Sequence, residues 1–63
     1  MLWFEVWYSA ARKDEIYLLV LVAMDDGTFE IRNPQFGWRT DNRYTSYEEA
    51  SLSLGDDEFV ELH

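Results

Sequence analysis

From Ile16 to Met24 every side chain is apolar or aromatic, with no polar residue breaking the run. Read as a strand, the run has two apolar faces. Ile16, Leu18, Val20, Val22 and Met24 share one, and Tyr17, Leu19, Leu21 and Ala23 share the other. Its length and its β-branched Ile16, Val20 and Val22 favour a buried central strand over a helix. Residues 2–8 alternate more clearly. Leu2, Phe4, Val6 and Tyr8 form one face, which reads as core, and Trp3, Glu5 and Trp7 form an aromatic second face. Residues 9–15 read as a polar, exposed hairpin connection carrying Arg12, Lys13, Asp14 and Glu15. Asp25, Asp26 and Gly27 suit a tight turn. Residues 28–32 alternate again, with Phe29 and Ile31 inward and Thr28, Glu30 and Arg32 outward. The first half of the chain is therefore a three-stranded antiparallel meander with 16–24 in its middle.

Residues 33–43 have no period and read as a loop opened by Asn33-Pro34 and eased by Gly37. A loop that long is often functional. A capping box follows, in which the Ser46 side chain accepts from the amide of Glu49. Thr45 with Glu48 repeats the signal one residue earlier, which blurs the boundary. Tyr47, Ala50, Ser51 and Leu54 form one packing stripe, and Gly55 is the expected residue just past the helix end. Such a short helix does not stand alone and must pack on the sheet. Residues 56–63 suggest a short acidic edge strand. The expected fold is one α+β domain over 1–63: a small antiparallel sheet, three-stranded meander plus a short C-terminal strand, with one short helix packed on one face.

One helix covers one face of such a sheet, and the central strand offers two. Burying a Leu-sized side chain stabilises by roughly 1.5–3 kcal/mol, so a wet second face is costly in a chain of this size. Three covers are available. Residues 33–43 can fold back and lay Phe36 and Trp38 over it, Trp3 and Trp7 can lean across, or another protein can cover it. A second copy is the leading expectation, because twofold dimers are the commonest small assemblies. The dimer face would comprise Trp3, Trp7, Tyr17, Leu19 and Leu21.

Composition narrows the classes. Hydrophobic residues make up 48% of the chain and aromatics 17%, which argues against disorder. With no cysteine and a single His at position 63, neither disulfides nor a zinc site is expected. No cofactor is expected. The first ten residues lack a basic n-region and Glu5 interrupts them, and the run 16–24 is too short to span a bilayer. A cytoplasmic protein without a membrane partner is the expectation.

Thirteen acids against five bases give a net charge of −8, which repels nucleic acid in general. The charge is uneven. Residues 32–43 carry Arg32, Arg39 and Arg43 against Asp41 alone, whereas 44–63 carry six acids and no Lys or Arg. Arginine and aromatics are enriched at interface hot spots. Arg32, Phe36, Trp38, Arg39, Arg43 and Tyr44 are therefore the candidate partner-binding set, unless the arginines pair with the chain's own acids. Stacking of single-stranded nucleic acid on Trp38 and Phe36, or mimicry of nucleic acid by the acidic residues 48–61, is the alternative. Asp56, Asp57, Glu58 and Glu61 match no EF-hand spacing and read as a solvated turn. Catalysis has little basis: Ser46 is a cap, and nothing selects a carboxylate pair. The reading is a non-enzymatic protein-interaction or regulatory module that homodimerises or binds a larger partner.

Overall fold

The computed structural model describes residues 1–12 and 15–62. Five strands form one antiparallel sheet: β1 (Trp3–Arg12), β2 (Glu15–Ala23), β3 (Phe29–Asn33), β4 (Arg39–Tyr44) and β5 (Val60–Glu61), in the order β4-β3-β2-β1-β5. The helix α1 spans Tyr47–Asp56. The architecture is α+β with one helix on one face, as the pattern predicts, and residues 16–23 of the apolar run lie in the central strand, with Met24 just past its end. Among the described residues no helix is long and apolar enough to cross a membrane.

Three elements differ from expectation. The strands of the first hairpin run further, to Arg12 and from Glu15, so Ser9 is buried in the ladder opposite Tyr17. Lys13 and Asp14 of that connection, and His63, lie outside the described residues. The loop expected over 33–43 is a tight connection followed by a strand. Pro34–Phe36 form a 3-10 turn capped by Asn33, whose Oδ1 accepts from the Gln35 amide at 3.0 Å. Gly37 and Trp38 then both take left-handed backbone, φ 70° and 62°. Residues 39–44 lack alternation because β4 is an edge strand exposed almost throughout. Its pairing partner, not its own pattern, makes it a strand.

The helix begins as expected, with Ser46 Oγ accepting from the Glu49 amide at 3.2 Å. It runs through Gly55 and stops at Asp57 instead. The Glu58 amide donates to the Gly55 carbonyl at 3.0 Å and the Phe59 amide to the Leu54 carbonyl at 2.9 Å, the Schellman pattern. Glu58, at φ 65°, holds the left-handed position that glycine usually fills. Phe59 packs against the core cluster that contains Leu54, and this apolar closure sets the end of the helix.

That core cluster comprises Trp7, Leu21, Ile31, Ala50 and Leu54, with Leu19, Phe29, Tyr44 and Phe59 packed against it. The register explains its side. Glu5 pairs with Leu21 and Leu21 with Ile31, so Trp3, Glu5, Trp7, Leu19, Leu21, Phe29 and Ile31 share the face beneath the helix. This reverses the expectation for the sheet. Trp7 and Leu21, expected on a dimer face with Leu19, are core, while Trp3 and Tyr17 lie at its margin. Glu5 is the reason the sequence misleads. It sits on this face as an acceptor: Trp7 Nε1 donates to its Oε1 at 3.2 Å, and the Tyr47 hydroxyl donates to both its oxygens at 3.0 Å. Trp3, Phe29 and Tyr47 form a ring cluster above it, with centroids 5.8–6.1 Å apart.

Candidate functional site

Among the described residues no helix lies on the opposite face of the sheet. Phe4, Val6 and Tyr8 of β1 point there, in register with Val22, Val20 and Leu18 of β2. Val60 of β5 is paired with Tyr8 and continues the apolar surface to the far edge. Val20 and Val22 are buried by their neighbours within the sheet, but Phe4, Ile16, Val60 and Leu62 are each more than half exposed. The sequence pattern read this face as the core. It is apolar enough to be one, and it is open.

Trp38 walls the face on the β3 side. With Met1, Phe4, Val20, Val22 and Arg32 it lines a groove of about 380 Å³. The turn that presents Trp38 is unusual, because left-handed backbone is costly for an aromatic residue, on the order of 1–3 kcal/mol. The Trp38 amide donates to the Asn33 carbonyl at 2.9 Å and closes the turn. Gln35, in the same turn, reaches β2 where β3 has already ended. Its amide nitrogen donates to the Ile16 carbonyl and its oxygen accepts from the Leu18 amide, both at 3.4 Å. A side chain thus continues the ladder and blunts a bare strand edge.

Beside the groove lies a polar knot. Glu30 is 2% exposed. Its Oε1 accepts from Arg32 Nε at 2.9 Å and Arg32 Nη2 at 2.7 Å, and from Thr40 Oγ1 at 3.2 Å. Its Oε2 accepts from Arg43. The Arg32 hydrogen bonds, aided by Arg43, hold the carboxyl below its ordinary value against the opposing effect of burial. A bulge makes this knot possible. The β3–β4 register shifts between Ile31 and Arg32, leaving Asp41 unpaired and placing Thr40 opposite Arg32.

The candidate set drawn from the sequence is therefore divided. Arg32 and Trp38 meet at the groove, and Arg43 joins Arg32 through Glu30. Arg39 and Phe36 form a separate exposed pair, with the guanidinium 6.0 Å from the ring and a 3.2 Å contact to Asp41. Tyr44 is on the other side, its hydroxyl donating to Ser53 Oγ at 2.8 Å beneath the helix. Phe4, Ile16, Val60 and Leu62 lie exposed on the open face and were not in that set. Their signal was present in the hairpin register: a tight turn at Asp25–Gly27 sets Leu21 beside the inward Ile31, which sends Val20 and Val22 to the other face.

No protein-family model matches the chain, no curated protein matches it, and no solved structure matches it. The site is therefore described by its chemistry alone. The groove offers carbon surface and a guanidinium that already has a carboxylate partner. Among the described residues no three His, Cys, Asp or Glu side chains come together to hold a metal ion. The Ser46, Ser51 and Ser53 hydroxyls are each engaged in a cap, a backbone bond or the Tyr44 contact.

Charge is partitioned between the two sides. Glu5 and Glu61 lie on the helix side by register, and Glu48, Glu49, Asp56, Asp57 and Glu58 lie on or just after the helix. On the open face the Glu30 knot sets one acid against two arginines.

Proposed function

We propose that the protein is a non-enzymatic interaction module that works through the open face of its sheet. The observation that carries this reading is the combination of exposed Phe4, Ile16, Val60 and Leu62 on a sheet face that no helix or strand covers among the described residues. Contiguous apolar surface of this kind, rimmed by polar groups, marks interaction sites. The strained Trp38 turn supports it, because strain of this kind concentrates at ligand clamps. The groove supplies apolar contact, and its guanidinium orients what docks.

The test places a photo-crosslinking residue at position 16, on the open face, and separately at position 52, where Leu52 is exposed on the helix. Crosslinking is carried out in extract of the producing cell. Protein adducts, to itself or to another chain, are expected at 16 well above 52. Equal labelling at the two positions, or none at 16, removes the open face as the working surface.

A further inference from the structure

We infer that the occupant of the open face is a second copy of this chain, packed sheet to sheet about a twofold axis. This inference rests on the interaction-module reading and names its partner. Two features of the structure support a copy as the occupant. The first is area. Met1, Phe4, Ile16, Trp38, Val60 and Leu62 are 55–68% exposed, as is Leu2 beside them. At about 150–250 Å² for a large aromatic side chain, and less for the aliphatic ones, these seven offer roughly 700 Å². A standard interface needs about 800 Å² from each partner, and the flanking polar atoms of Tyr8 and Arg32 make up the difference.

The second is the placement of charge. A chain of net charge −8 resists meeting its own copy unless the acids are kept away from the contact. The acidic helix and the strand positions facing it are on the far side of the sheet from the open face, and Asp25, beside the groove, is paired with the Met1 ammonium at 3.2 Å. Two sheets packed face to face lie about 10 Å apart, and the helices would sit outside them. The two acidic surfaces are then separated by more than the Debye length of about 8 Å in physiological salt. A basic partner gains nothing at this face, because the Glu30 knot leaves it with an excess of arginine. Such a partner would be drawn to the helix side instead. The copy presents a face of the same size and the same apolar character.

The first measurement is the mass of the full chain by light scattering from about 1 µM to 1 mM, the range that separates tight from weak association. Twice the 7.5 kDa chain mass is expected. Ile16→Glu and Val60→Glu are expected to give the monomer mass with a well-dispersed amide spectrum. Leu52→Glu, the same change in charge on the helix side, is expected to remain a dimer. Isotope-filtered contacts between labelled and unlabelled wild-type chains need no variant, and they are expected from the methyl groups of Ile16, Val60 and Leu62. A dimer whose intermolecular contacts come from Leu52 or from the β4 edge overturns the inference. A monomer throughout the range also overturns it. In that case a crosslink from position 16 to a different protein leaves the interaction-module reading standing, and the absence of one removes both.

Discussion

Glu30 is a charged side chain with almost no water contact, and its partners decide whether the β3–β4 hairpin tolerates it. A carboxyl whose pKa falls on folding stabilises the fold above its ordinary value, here 4.5, and that contribution fades as pH drops below it. Glu30→Gln keeps the shape and removes the charge that Arg32 and Arg43 answer. It is expected to cost about 1–3 kcal/mol at neutral pH, as for other hydrogen bonds to charged groups. Urea denaturation at pH 7 and pH 3 checks this, and the loss of stability between the two should be smaller in the variant. Tyr47 behaves in the opposite sense. Burial first, and then the hydrogen bond to Glu5, push its phenol up to about 12. The folded state therefore favours the protonated ring, and this contribution is present below pH 10 and lost as pH rises towards 12. A tyrosinate absorbance titration should show a late step that Tyr47→Phe abolishes. Glu58 occupies left-handed backbone that costs a non-glycine residue about 1–2 kcal/mol. Glycine relieves that strain but loses more entropy on folding, so Glu58→Gly is expected to stabilise by about 0.5–1 kcal/mol in thermal unfolding.

At the scale of elements, α1 shows which signals are local. Its start was legible because capping involves neighbours three residues apart: Ser46 and Glu49 carry it by themselves. Its end was not, because Phe59 must find the core before the Schellman closure forms, and nothing near Gly55 announces that. Ser46→Ala is expected to cost about 1 kcal/mol. In a domain of this size that lowers the melting temperature by about 4–8 °C, readable by circular dichroism. The strand β4 is the converse case. Its residues, Arg39 to Tyr44, carry no period because both faces are largely wet, so alternation has nothing to report. What holds it is its neighbour: Glu30 engages Arg43 and Thr40 across the ladder, and a bulge at Asp41 aims Thr40 correctly.

For the whole molecule, the open face and the acidic helix side make a protein with two unlike surfaces. If the open face meets its copy, Trp38 is the largest exposed side chain lining its groove and should behave as a hot spot. Trp38→Ala is expected to raise the dimer dissociation constant about tenfold or more, a loss of at least about 1.4 kcal/mol. Sedimentation equilibrium gives the constant. The amide spectrum should stay dispersed, because Trp38 lies outside the core cluster.

The sequence by itself determined the α+β class, the central strand, the first tight turn and the helix start. Each depends on residues within a few positions of one another, or on one long unbroken apolar run. It also showed that one sheet face exceeds what a single helix can cover. Only the tertiary structure decided which face that is. Alternation separates two faces without saying which one meets the helix, and Glu5 gave the wrong impression because its acceptor role depends on Tyr47, 42 residues away. The choice was made where β4 delivers Tyr44 beside Phe29 and the chain turns into α1 on that side. The other side holds the Glu30 knot, in which two arginines pair with one carboxylate.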